Sequence, residues 1–89
     1  MISENEKSII SGIASKYNVK KILLFGSSLE SDYNYKDIDL AVEGVPKGFF
    51  FSFYGELISK LSKPVDLIDL SKKNPFNDLI SQEGVIIYG

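Results

Sequence analysis

Residues 20–43 have the sequence KKILLFGSSLESDYNYKDIDLAVE, and this stretch decides the fold. An apolar run, residues 22–25, is followed directly by Gly-Ser, and a polar segment of nine residues, 28–36, comes next. A second apolar run then carries two carboxylates two positions apart, Asp37 and Asp39. Apolar runs of this length bounded by glycine and polar turn residues are typical of neighbouring strands.

The spacing of Asp37 and Asp39 has a direct physical consequence. In a β-strand, residues i and i+2 point to the same face of the sheet, so both carboxylates project together. Two like charges on a rigid strand repel each other and require a compensating cation. Mg²⁺ suits such a pair, since it prefers a few carboxylates together with phosphate oxygens. The residues between and after them face the core instead: Ile38, Leu40 and Val42.

The composition restricts the chemistry further. The 89 residues include no cysteine and no histidine, which excludes thiolate chemistry, the commonest general base and most transition-metal sites. A net charge of −2 argues against nucleic acid as a partner, because sequence-independent binding needs a basic surface. No apolar run is long enough to span a membrane and the first residues do not form a signal peptide, so we expect a cytoplasmic protein.

The remaining chain predicts alternating helices and strands in a single domain, residues 1–89. Ser3 and Glu6 form a capping-box pattern before a first helix that ends near Asn18. Ser27 or Ser28 is expected to cap a short helix through Glu30, and residues 32–35 are expected to form a turn. The expected fold class is α/β (α+β), with a mixed sheet of about four strands and helices packed against it. Its further elements are strands at 20–25, 37–43, 65–68 and 84–88, helices at 49–61 and 75–82, a loop at 44–48 and a turn at 69–71.

Three motifs together resemble the minimal nucleotidyltransferase family, which belongs to the DNA polymerase β-like nucleotidyltransferase superfamily. LFGSS is similar to the family's glycine-serine motif, DIDLAV to its paired-aspartate strand, and PVDLIDL to the strand with a third carboxylate, Asp66. The resemblance covers nearly the whole chain and implies the nucleotidyltransferase fold.

The resemblance also implies roles for the three carboxylates. Asp37 and Asp39 would hold the Mg²⁺ that carries the nucleoside triphosphate. Asp66 would join them at a second Mg²⁺ that activates the attacking hydroxyl, completing a two-metal catalytic site.

Four further residues are candidates for binding ATP or another nucleoside triphosphate. Gly26, Ser27 and Ser28 would offer backbone N–H groups and hydroxyls to phosphates at a helix N-terminus. Family members often follow Gly-Ser with Arg-Ala-Arg-Gly, whereas here Ser-Leu-Glu-Ser follows in residues 28–31. Lys36, which stands where the family usually has serine, is a candidate for part of the missing positive charge.

Two functions follow from the resemblance. The first is an Mg²⁺-dependent nucleotidyltransferase that transfers a nucleoside monophosphate, AMP from ATP, to a hydroxyl of a helical HEPN-type partner protein, as an antitoxin acts on its toxin. The alternative, favoured by the missing arginines, is a catalytically lapsed binding module that masks such a partner. The sequence leaves open the nucleotide, the acceptor, retained catalysis and whether the chain forms a homo-oligomer.

Simpler interpretations of the same residues also remain open. Asp37 can close a turn, Asp39 can lie on a solvated sheet face, and Asp69 lies close enough to compete with Asp66 as the third carboxylate. Phe49 and Phe51 fall beside the apolar stripe of their predicted helix, so they are either peripheral core or an exposed patch for a partner protein.

Overall fold

The computed structural model describes residues 2–29 and 36–89, apart from the side chain of Ser27. The predicted turn at 32–35 and the position of Glu30 therefore lie outside the described residues. The described elements are three helices, α1 (Glu4–Lys16), α2 (Phe50–Lys60) and α3 (Pro75–Glu83), four strands, β1 (Lys21–Leu24), β2 (Ile38–Glu43), β3 (Val65–Asp69) and β4 (Val85–Tyr88), and a short 3₁₀-helix (Gly26–Leu29).

The four strands form one mixed sheet in the order β3-β2-β1-β4. Strand β1 is antiparallel to both of its neighbours, and β2 is parallel to β3. Parallel neighbours need a crossover connection, which α2 supplies between β2 and β3. The predicted α+β architecture with about four strands is confirmed.

The first helix begins and ends as its sequence predicts. The Ser3 Oγ accepts a hydrogen bond from the Glu6 amide at 3.1 Å, and the Glu6 carboxylate accepts one from the Ser3 amide at 2.8 Å. This reciprocal pair is the predicted capping box. Asn18 has a φ of 56°, a left-handed conformation that ends the helical path.

The sheet has an apolar core on each face. Helices α1 and α2 cover one face, where Ile38, Leu40 and Val42 are fully buried, as their alternation predicts. Their larger core also contains the predicted buried stripe of α2, including Phe53 and Leu57. Helix α3 contributes Ile80 to a smaller core on the other face, with Leu23 and Ala41. The odd-numbered positions of β2, Asp39 included, therefore belong to the face with the smaller core.

Several predicted boundaries shift by one residue, and one local prediction is wrong. Strand β2 begins at Ile38, so Asp37 lies directly before the strand instead of within it, and Asp69 ends β3 instead of starting the turn. Ser27 and Ser28 lie inside the 3₁₀-helix instead of capping a helix. The Ser28 hydroxyl does not cap a helix because it bonds to the backbone of Asp37 and Asp39 instead.

Phe49 and Phe51 lie outside the core, with 51% and 83% of their surfaces exposed. Phe49 immediately precedes α2 and contacts the Tyr17 ring edge-on, at 6.3 Å between ring centroids. Whether the two phenylalanines bind a partner stays a prediction. Among the described residues, no helix is both long and apolar enough to cross a membrane.

Candidate active site

The structure places two of the three predicted carboxylates side by side. Asp39 of β2 and Asp66 of β3 are register partners in the parallel pair. Adjacent parallel strands lie about 4.8 Å apart, and side chains at paired positions project from the same face. Asp39 is half-buried and Asp66 is exposed, which leaves the pair accessible from solvent.

Asp69 does not compete with Asp66 for this site. It lies three residues further along β3, at the register position of Val42. One of its carboxylate oxygens, Oδ1, accepts a hydrogen bond from the Ser71 amide at 2.9 Å and closes the turn after the strand. Strand alternation also places Asp69 on the same face as Val65 and Leu67, away from Asp66.

Gly26 brings bare backbone against the Asp39 carboxylate. Its φ is +64°, which L side chains rarely adopt, and a Cβ built there would lie 2.5 Å from Asp39 Oδ2. Asp39 therefore occupies space that any other residue at position 26 would need. The positive φ of Gly26 turns the chain sharply, and this turn lets the chain pass close to a candidate metal ligand.

Ser28 fixes the backbone at the start of β2. Its fully buried hydroxyl donates a hydrogen bond to the Asp37 carbonyl at 3.2 Å and accepts one from the Asp39 amide at 2.8 Å. This bridge between the 3₁₀-helix and β2 uses the hydroxyl that a helix cap would need. The Ser28 hydroxyl thus positions the backbone of the two aspartates, and its predicted contact with nucleotide stays a prediction.

Asp37 and Lys36 stand at the entrance of β2. Asp37 is half-buried and Lys36 is exposed. Both are close in sequence to Asp39, but Asp37 lies outside the strand whose alternation was expected to align the two carboxylates. The hydrogen bond from the Ser28 hydroxyl to the Asp37 carbonyl helps to fix the Asp37 backbone at the start of β2.

The carboxylates suit a hard cation by their chemistry. Across residues 2–29 and 36–89, no group of three or more acidic side chains is arranged so that it could hold a metal ion. Mg²⁺ commonly takes only one or two protein carboxylates and completes its octahedron with water and substrate phosphates. The register pair Asp39 and Asp66 supplies oxygen donors of that kind.

Two ion pairs of the described residues lie at the opposite end of β2 from Asp39. There Lys20 Nζ lies 3.0 Å from Glu43 Oε2, and Lys21 Nζ lies 3.6 Å from Glu43 Oε1. The hydrogen bond from Lys20 is the main reason why the pKa of Glu43 is lowered. Glu43 is thus a partner of lysines, although alternation places it on the same face as Asp39.

The family model described as "Polymerase beta, Nucleotidyltransferase" matches residues 7–89, which is almost the whole chain. The chain belongs to this nucleotidyltransferase family. Comparison with curated proteins gave no match.

Solved structures share the nucleotidyltransferase fold with this chain. The crystal structure of the toxin–antitoxin MntA–HepT matches with a TM-score of 0.73 and 22% identity, covering 98% of this chain and 73% of the other. A structure of tri-AMPylated Shewanella oneidensis HEPN toxin in complex with MNT antitoxin matches with a TM-score of 0.74 and 23% identity, covering 99% and 73%. A toxin–antitoxin crystal structure with AMP-PNP matches with a TM-score of 0.74 and 24% identity, covering 93% and 73%. The resemblance inferred from the three motifs is confirmed.

Two features of this chain could not be found from its sequence motifs. The first is the Ser28 bridge, because its partners lie nine and eleven positions further along the chain. The second is an aromatic cluster beside Gly26, where Phe25 meets Phe76 of α3 edge-on, with ring centroids 6.4 Å apart. Phe76 directly follows Pro75 at the start of α3. Its sequence context is that of an ordinary core phenylalanine, whereas in the structure 54% of its surface is exposed.

Proposed function

We propose that this chain is an Mg²⁺-dependent nucleotidyltransferase that transfers AMP from ATP to a hydroxyl of a helical HEPN-type partner protein. The observation that carries the proposal is the register pairing of Asp39 with Asp66, beside a glycine whose missing side chain makes room for the Asp39 carboxylate. Membership of the nucleotidyltransferase family supports this assignment.

The three aspartates are proposed to bind two metal ions. Asp37 and Asp39 would hold the Mg²⁺ that carries the triphosphate, and Asp66 would hold a second Mg²⁺ on the side of the incoming hydroxyl. When bound, these ions supply charge neutralisation at the triphosphate and stabilise the entering and leaving oxygens. Gly26, Ser27 and Lys36 are proposed to contact the phosphates, while Ser28 keeps the strand entrance in place.

The transfer itself is a substitution at the α-phosphorus. The acceptor oxygen forms a bond to that phosphorus, the bond to the bridging oxygen of the β-phosphate breaks, and pyrophosphate leaves. The hydroxyl loses its proton to solvent. AMP is then joined to the acceptor through a phosphodiester.

A protein acceptor fits the charge of the chain better than a nucleic acid does. The net charge is −2, and a DNA or RNA primer needs cations to replace its counterions. The complex of a tri-AMPylated HEPN toxin with MNT antitoxin supports the same class of acceptor for this chain. We therefore propose that the acceptor is a side-chain hydroxyl, tyrosine in the first instance.

The binding-module alternative is favoured by a separate observation. The residues at 28–31 lack the family's arginines, and the hydroxyl of Ser28 is already engaged inside the protein. A chain that binds its partner but transfers nothing would act by masking it.

The test is labelling of a copurified helical partner by ATP carrying ³²P in the α position and, separately, in the γ position. Transfer of AMP labels the partner only from the α position. Asp39→Asn and Asp66→Asn should abolish the label, while Asp78→Asn, an exposed control on α3, should retain it. Label that enters RNA, DNA or a small molecule contradicts the proposal, and partner binding without label selects the masking module.

Asp39→Asn should also abolish the binding of Mg²⁺-ATP without lowering the stability of the metal-free protein. The change relieves repulsion between neighbouring carboxylates, so the metal-free protein should melt at the same temperature or slightly higher. The increase in melting temperature caused by Mg²⁺-ATP should disappear. If that increase is unchanged in Asp37→Asn and Asp39→Asn alike, the metal assignment is wrong.

A further inference from the structure

We propose that the cavity between Gly26 and α3 binds the base of the nucleotide, and that it selects bases with an exocyclic amino group. This inference rests on the proposed function, because it places the base of the same nucleotide whose phosphates meet Asp39. The cavity has a volume of about 200 Å³. Its lining includes Phe25, Gly26, Leu29, Phe76, Leu79 and Glu83.

The cavity adjoins the carboxylate site. Gly26 belongs to both, since it lines the cavity and its Cα faces the Asp39 carboxylate. Phe25 also connects them, because its amide donates to the Asp39 carbonyl at 3.0 Å across the sheet. Phosphates held at Asp39 would therefore lie beside this cavity.

The walls provide aromatic and apolar surface of the kind that a base needs. Phe76 and Leu79, one helical turn apart on α3, are 54% and 49% exposed. The edge-on contact with Phe25 holds the Phe76 ring while about half of its surface stays open. An aromatic ring fixed in this way is a platform on which a base can stack, whatever its identity.

Selectivity comes from the polar side chain of the lining. Glu83 is the last residue of α3, lines the cavity and is exposed. An ionised carboxylate only accepts hydrogen bonds. It therefore accepts from the exocyclic amino groups of adenine, cytosine and guanine. Hypoxanthine has a carbonyl oxygen in place of the amino group of adenine, and uracil has one in place of the amino group of cytosine, so both present an acceptor that a carboxylate disfavours.

The stacking surface is tested by calorimetric titration with Mg²⁺-ATP and, separately, with Mg²⁺-tripolyphosphate, which lacks a base. Phe76→Ala should weaken ATP binding roughly tenfold or more and leave tripolyphosphate binding unchanged. Phe76→Trp should restore ATP binding. Phe51→Ala, which removes an equally large ring that is 83% exposed on α2, is the matched control and should have no effect on either ligand.

The polar contact is tested by comparing ATP with ITP, in which a carbonyl oxygen replaces the amino group of adenine. The wild-type chain should prefer ATP by roughly tenfold, and ATP, CTP and GTP should each bind more tightly than ITP and UTP. Glu83→Gln should remove this preference, because an amide can also donate to the carbonyl oxygen of hypoxanthine.

The outcomes separate the two proposals. If the wild-type chain binds neither ATP nor tripolyphosphate, the proposed function fails and the base site fails with it. If it binds both ligands equally well, or if Phe76→Ala matches the Phe51→Ala control, the base site is overturned while the proposed function stands. A Phe76→Ala variant that keeps its ATP affinity but loses its helical partner would assign this surface to the partner.

Discussion

Replacing Ser28 with alanine tests whether this hydroxyl positions the active-site strand. The Ser28 side chain is fully buried and bonds to the Asp37 carbonyl and the Asp39 amide, so alanine leaves one acceptor and one donor without their partner. Each polar group deprived of its partner in a buried site costs about 1–3 kcal/mol. Because Asp37 and Asp39 are only half-buried and water can replace part of the loss, we expect a total of about 2–4 kcal/mol.

That loss is large for a domain of this size. A stability of about 0.05–0.15 kcal/mol per residue gives roughly 4–13 kcal/mol for the chain. In domains of 60–100 residues, 1 kcal/mol shifts the melting temperature by about 4–8 °C. Ser28→Ala should therefore melt roughly 8–32 °C below the wild-type protein.

The assay is thermal and chemical denaturation without nucleotide, followed by the same melts with Mg²⁺-ATP. Ser59→Ala is the control, since the Ser59 hydroxyl is exposed and donates to the Glu56 carbonyl at 2.9 Å. Its effect should stay within about 0.5 kcal/mol. If Ser28→Ala matches this control, the bridge does not stabilise the strand entrance. If stability is unchanged but ATP no longer raises the melting temperature, Ser28 contacts nucleotide directly.

Two further changes test other parts of the structure. Gly26→Ala should cost about 1–2 kcal/mol of stability because of its positive φ, and by displacing the Asp39 carboxylate it should also remove the increase in melting temperature caused by Mg²⁺-ATP. Gly48→Ala is the control, since its φ is +88° but no atom lies within 4 Å of the added Cβ, so thermal melts should show the stability loss alone. An equal increase with Mg²⁺-ATP in both variants would refute the proposed crowding at Asp39. The hydrogen bond from Lys16, at 2.8 Å, lowers the pKa of Glu56 below its ordinary value of 4.5, so this carboxylate stabilises the fold above that value and the benefit disappears as pH falls through the lowered pKa. Glu56→Gln should therefore melt below wild type at pH 7 and approach it as the pH falls through the lowered pKa of Glu56. A difference that persists at still lower pH would contradict the ion-pair origin.

The local features of the fold follow from short stretches of sequence. The capping box at Ser3, the turn at Gly26 and the buried alternation of Ile38, Leu40 and Val42 each depend on residues within a few positions of one another. Backbone sterics and hydrogen bonding act at that range, so composition and spacing are sufficient to predict them. For the same reason, the order of helices and strands could be predicted with boundaries shifted by only a residue or so.

The candidate site required the tertiary structure because its parts come from separate elements. Nothing in the spacing of Asp39 and Asp66 sets their register, which depends on how the α2 crossover packs Phe53 and Leu57 against the sheet. The local sequence predicts that Ser28 caps a helix, but the fold brings β2 within reach of its hydroxyl. Phe76 became a neighbour of Gly26 only when α3 packed beside β1. The sequence alone determined which chemical groups were available and on which face of β2 Asp39 lies, while packing between distant elements decided which of these groups meet.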